Sequence, residues 1–215
     1  MCVASPNRVE RPSSLDATAK EIKAAARVAG VRYCAMHPDD AVFSVVLTIH
    51  VALTNVTPRR IIVAREMAHG GVLRLQVAKD ENEAANGRFE TTIVNDLEIV
   101  TLPDGKQPEF GRVPDPQRFA TLESGDVLEA TIRATVQGRR QGSNGPSTAL
   151  EAGTKHVMRV RFNMWPFRFM KVSDVRNVRN QWMEVGRLIV GIAEAGDFAL
   201  ELPAALEPEV CTHGI

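Results

Sequence analysis

The sequence predicts an all-β protein: an antiparallel β-sandwich of about eight to ten strands, with long loops and at most one or two short helices. Three observations lead there. Apolar residues recur at every second position over several long stretches, and clusters of Gly, Pro, Asn and Asp separate those stretches. No segment repeats at a fixed period, which argues against propellers and solenoids. Strands that alternate apolar with polar also argue against a parallel, doubly wound sheet, whose strands are apolar on both faces.

The elements follow in chain order. Residues 1–14 are polar, with Pro6, Pro12, Ser13 and Ser14, and read as a disordered arm. Residues 15–30 admit two readings. Ser14 can cap a helix, Gly30 can end it, and alanine favours it; yet the residues alternate from Ile22 onward into Val31-Arg-Tyr-Cys34. A first strand within 21–35 is preferred, because the next segment needs an antiparallel neighbour. That segment, 41–55, carries the strongest strand signal. Phe43, Val45, Leu47, Ile49, Val51 and Leu53 fall on one face, with Ser44, Thr48, His50 and Thr54 on the other.

Further strands are expected at 60–65, 72–77, 89–100, 118–122, 127–136 and 157–164, followed by two short ones at 186–193 and 198–202. Loops or turns are expected at 37–40, 79–88, 103–117, 123–126, 138–155 and 165–184. Residues 15–203 then form a single sandwich domain, with 204–215 as a loose tail.

Composition narrows the function. Of 215 residues, 26 are basic and 26 acidic, so no global field draws the chain to nucleic acid or an anionic membrane. No nucleic-acid partner is expected. The longest apolar stretch, 41–53, is broken by Ser44, Thr48 and His50 and is too short to span a bilayer. Cys2, Cys34 and Cys211 lack zinc-site spacing. Cys34 and Cys211 can form a disulfide if the first and last strands are neighbours; the alternative is two separate thiols in a reducing compartment. Cys2 also raises the alternative of a lipid-anchored N-terminus left by a removed leader.

Two stretches carry a resemblance. Leu53-Thr-Asn-Val-Thr57 followed by Arg60-Ile-Ile-Val63 makes a corner after a long strand. Leu122-Glu-Ser-Gly-Asp126 leads as a tight turn into the strand at 127–136. Together they resemble immunoglobulin-like and fibronectin-like sandwich domains of bacterial envelope proteins, over about a third of the chain. The resemblance implies an extracytoplasmic, periplasmic or secreted, setting and carries no functional residues. The Cys–Trp–Cys signature of true immunoglobulin domains is missing, and the chain exceeds one such module in length.

No catalytic motif emerges. His37, His50, His69, His156 and His213 show no ligand spacing, and there is no Gly-x-Ser-x-Gly elbow around Ser124. Cys34 has no neighbouring base. Gly138-Arg-Arg-Gln-Gly-Ser-Asn-Gly145 lacks the Lys-Ser/Thr of a phosphate loop. The acidic pairs and runs at Asp39-Asp40 and Asp80-Glu81-Asn82-Glu83 lack the order of a calcium loop. No cofactor and no metal are expected. Asn55-Val-Thr57 matches a glycosylation acceptor but is followed by Pro58.

The richest segment is 159–187, where seven Arg and Lys, Arg168 and Arg179 among them, interleave with Phe162, Trp165, Phe167, Phe169 and Trp182. Arginines beside aromatic rings anchor partners when exposed and pack the core when buried. Trp165, Trp182, Arg168 and Arg179 are therefore the candidate ligand contacts. The expectation is a non-catalytic binding or structural domain that engages a protein partner through loops or an edge strand. The alternative is a carbohydrate-binding module in which Trp165, Trp182 or Tyr33 form an exposed stacking surface. A pocket joining His156 to Asp80 or Glu81 would point instead to an enzyme.

Overall fold

The structure, a computed structural model, describes residues 20–65, 74–91, 94–97, 111–147, 149–164 and 172–211. Its centre is a pair of long strands. β1 (Ile22–Ala35) and β2 (Val42–Asn55) are antiparallel and pair from Ile22↔Asn55 to Cys34↔Ser44. β1 is thus a strand, not the helix that its alanines allow. The period of two in β2 has the consequence expected of it. Phe43, Val45, Leu47, Ile49, Val51 and Leu53 are all at most 3% exposed. β8 (Val127–Arg139) lies on the far side of β2, with Ile132, Ala134 and Val136 turned to the same core. Near its end, Gly138 passes under Phe43: a Cβ there would sit 2.4 Å from the ring, so only glycine fits.

The other half of the sheet is built from β4 (Arg74–Ala78), β10 (Lys155–Asn163) and β12 (Ile192–Glu201), which pair antiparallel. Leu75, Met158, Val160, Phe162, Ala193 and Ala195 face the β2–β8 half across one shared core. Between Lys79 and Arg88 lies a short helix, α1 (Glu81–Ala85), capped by Asp80, where a plain loop was expected.

The expectation of an antiparallel immunoglobulin-like sandwich is overturned by the strand order. The halves are not separate sheets. They join through β1 into a ten-stranded sheet, β5 (Glu90–Thr91)-β4-β10-β12-β1-β2-β8-β6 (Val94–Leu97), with β13 (Glu209–Val210) added to β1 and β9 (Leu150–Glu151) to β8. The joints are parallel: Ala24↔Ala195, Cys34↔Glu209 and Gly138↔Leu150. A twisted sheet of about ten strands curls rather than staying flat. Bulges in β1 at Val28/Gly30 and in the β10–β12 pair at Met158/Val160 bend it further. The result is a curled half-barrel that mixes parallel and antiparallel pairing.

One consequence concerns the segment expected as a single strand at 89–100. It holds two, β5 (Glu90–Thr91) and β6 (Val94–Leu97), at opposite ends of the sheet order. Three Cα steps separate Thr91 from Val94, so the two sheet edges stand at most about 11 Å apart there.

A second sheet lies outside the first, β11 (Arg187–Leu188), β3 (Ile61–Ala64) and β7 (Phe119–Leu122), with β11 parallel to β3. β3 is apolar at three consecutive positions because it is covered on both faces. Ile61 and Val63 join the main core, while Ile62 joins a second cluster beneath α2 (Val172–Gln181). Val175, Val178 and Trp182 bring α2 and the turn after it onto this sheet at helical spacing.

Candidate functional site

The site begins with one buried amide. Asn55, at the end of β2, is 1% exposed, which is costly for a primary amide unless its groups are all bonded. Its Nδ2 donates to the carbonyls of Arg59 (2.8 Å), Leu122 (3.0 Å) and Glu123 (3.0 Å). Its Oδ1 accepts from the Thr57 amide and hydroxyl, both at 2.9 Å. Asn55 therefore ties the 56–60 corner to the turn after β7, where Gly125 at φ +84° lets the chain reverse. The two stretches that carried the sequence resemblance meet here. With its Nδ2 committed inside this corner, Asn55 is not placed as a glycosylation acceptor.

The corner projects Arg59 and Arg60 toward the end of α2. The Arg187 amide donates to the Arg60 carbonyl at 3.1 Å, and Gly186 fits against that carbonyl with a Cβ position only 3.2 Å away. Along α2 and the turn after it, Val175, Val178 and Trp182 are buried, while Arg176 is exposed and Arg179 is half-buried at the edge of that stripe. Between these walls lies an open cleft of about 680 Å³, bordered by Arg59, Arg60, Arg176, Arg179 and Arg187, with Met183 exposed at its rim.

Its electrostatics are lopsided. Five guanidiniums border the cleft against two carboxylates, Glu123 and Glu184. Arg60 pairs with Glu123, and Arg187 pairs with Glu21 at 2.9 Å. Among the described residues, Arg59, Arg176 and Arg179 have no carboxylate within ion-pair distance. Burial, and then the neighbouring Arg187 guanidinium, push Arg179 below the ordinary arginine value, while Glu21 pulls it back up. Such a surface attracts anions, and its arginine forks suit planar or tetrahedral oxyanions.

The other predicted site residues fall as follows. Trp182 is 1% exposed, packed edge-on to Phe119 at 4.8 Å, and its Nε1 donates to the Gly111 carbonyl at 2.9 Å. It supports the floor under α2 and does not face solvent. Arg179 is half-buried at the cleft. Trp165 and Arg168 lie outside the described residues. Tyr33 is half-buried and edge-on to Phe43. Cys34 and Cys211 are brought together in a disulfide, Cα atoms 5.4 Å apart, where β13 lies along β1. Residues 209–211 of the tail are therefore docked.

The acidic runs have local partners. Asp80 Oδ1 accepts from the Glu83 amide, Glu81 pairs with Lys155, and Asp40 accepts from the His37 amide. His156 does not meet Asp80 or Glu81. It is 4% exposed beside a separate cavity of about 100 Å³, near Arg139 and Glu151. Its Nε2 lies 3.1 Å from the Glu151 amide and 3.2 Å from the Glu151 carbonyl, accepting from the first in one neutral tautomer and donating to the second in the other, while Nδ1 finds no hydrogen-bond partner.

Sequence reasoning singled out Arg179 but missed Arg59, Arg60 and Asn55. The available signal was the Asn-x-Thr-Pro-Arg-Arg run itself: a short polar side chain that bonds the backbone two residues on, followed by paired cations.

No protein-family model matches the chain, and no curated protein matches it. A solved structure, the X-ray structure of Northeast Structural Genomics Consortium target SoR45, aligns over 93% of this chain and 100% of its own, at 11% identity and a TM-score of 0.36. That likeness is too slight to carry a functional argument.

Proposed function

We propose that this chain is a non-catalytic binding domain that engages a protein partner, with the arginine-lined cleft as its contact and an acidic segment as the complementary surface. The observation that carries this reading is the convergence of five guanidiniums from three separate parts of the chain around one open cleft. The protein as a whole has no net charge, so this is a local concentration, not a reflection of composition. Met183 at the rim adds the exposed apolar contact that protein interfaces favour. Trp182, one of the rings on which a sugar would stack, is buried, which also favours the protein reading.

The test is fluorescence anisotropy with a labelled 12-residue peptide rich in Glu, against the same peptide with Gln in place of every Glu. The Glu peptide should bind, and binding should weaken with added salt. The double variant Arg176→Glu/Arg179→Glu, at an exposed and a half-buried position of α2, should abolish it. Equal binding of the Gln peptide, or no effect of the double variant, would remove this reading.

A further inference from the structure

The arrangement of charges within the cleft says more about its ligand than that it is acidic. Resting on the cleft being the partner-binding face, we propose that its specific ligand is a phosphomonoester borne on a side chain of the protein partner. Arg60 and Arg187 each already face a carboxylate, Glu123 and Glu21, which offsets their charge. Three forks remain. Arg59 stands on the corner held by Asn55, its carbonyl accepting from Asn55 Nδ2 and its amide donating to the Thr57 hydroxyl. Arg176 and Arg179 stand three residues apart on α2, spacing that places them side by side.

A carboxylate carries one charge and two coplanar oxygens, which a single guanidinium fork satisfies. A phosphomonoester carries a charge of about −1.5 to −2 at neutral pH and three terminal oxygens, which two or three forks can share. Cations approaching from two walls match the second geometry. The half-buried Arg179 beside Arg187 is a like-charge contact in a partly desolvated place, and a bridging dianion relieves it. The cleft is open, so it admits a group attached to a chain.

Inorganic phosphate and three degenerate nine-residue peptide pools are the probes, the central position being phosphoserine, glutamate or serine. Binding is read by calorimetry at physiological salt. The phosphoserine pool should bind at least about tenfold more tightly than the glutamate pool, with serine weakest. Arg179→Gln and Arg176→Gln should each remove most of that advantage while leaving the thermal midpoint near the parent value. Arg179→Lys should recover only part of it, because an ammonium lacks the fork.

Equal affinity for the phosphoserine and glutamate pools would overturn the phosphoryl assignment and leave the acidic-partner reading standing. Binding of inorganic phosphate with the same arginine dependence, but no preference for the phosphoserine pool, would overturn the chain-borne source. If none of the three pools binds and phosphate does not bind either, both this inference and the reading beneath it fall.

Discussion

The β1–β2–β8 half of the large sheet and the small sheet beneath α2 both bury Ile, Leu and Val, but they are held together by different means. In the first, strands of 13 and 14 residues pair along almost their whole length, and β1 and β2 follow each other through a short turn. In the second, strands of two to four residues come from 61–64, 119–122 and 187–188 and make few ladder bonds. Side chains do the holding there: Asn55 at one corner and Trp182 beneath the helix. Backbone pairing is spread over many residues, so damage to it is shared along the ladder. A lobe of short strands leans more on particular side chains, and its cleft inherits that dependence.

The comparison can be tested from the strongest expected effect downward. Replacing Cys34 and Cys211 by Ala opens a covalent loop spanning 177 residues, for which the chain-entropy account gives up to about 5 kcal/mol. Denaturant unfolding should register most of it. Hydrogen exchange should place the faster opening at the Cys34 end of β1 and in β13, not under α2. Uniform loosening would mean that the two regions are one cooperative unit.

Trp182→Ala should lose about 3–5 kcal/mol, as should its counterpart in the sheet, Ile49→Ala, at about 2–5 kcal/mol. The signatures should differ. In the Trp182 variant the amides of α2 and β3 exchange first while those of β2 stay protected, whereas the Ile49 variant lowers protection everywhere.

Asn55→Ala strands three carbonyls and should lose about 2–3 kcal/mol. It should also weaken the acidic peptide, because the walls bearing Arg59, Arg60 and Glu123 lose their tie. A loss of stability with unchanged binding would show that the cleft does not depend on the corner.

Two smaller effects lie on the large sheet. Burial pushes His156 below the ordinary histidine value, against the Glu151 carbonyl and carboxylate that pull it up. The unfolded chain therefore binds a proton more readily than the folded one. The stability this contributes is full above the ordinary histidine value and is lost as pH falls toward the folded one. Urea midpoints should show a steeper decline below about pH 6.5 for the parent than for His156→Gln. Last, Arg159 pairs with Asp197 at 2.8 Å and covers the Phe89 ring at 4.1 Å, both near the surface. Arg159→Ala should lose no more than about 1 kcal/mol in the same assay.

Legibility in the sequence followed the same division. The alternation of β2, β8 and β10 identified strands and their buried faces, because a long half-covered strand writes its environment into every second residue. Strand order left no such mark. Nothing local in Ile192–Glu201 states that it lies parallel to β1, so the curl was read as two antiparallel layers. α2 escaped notice because its buried stripe is Val175 and Val178 with Trp182 beyond its end, too little to stand out among Arg and Asn. The cleft was half visible: Arg179 belonged to a basic run, but Arg59 and Arg60 reach it from more than a hundred residues away.

The position of β1 has a bearing on how the molecule is made. β1 is the seam of the large sheet, yet its neighbours on one side, β12 and β13, are among the last strands described. A ribosome delivers β1, β2 and β8 well before them. Through most of synthesis the nascent chain therefore presents an unfinished seam, a bare row of amides and carbonyls open to mispairing. The order of translation and the order of closure oppose each other, and whatever shields that seam in the interval guards the step on which the whole curl depends.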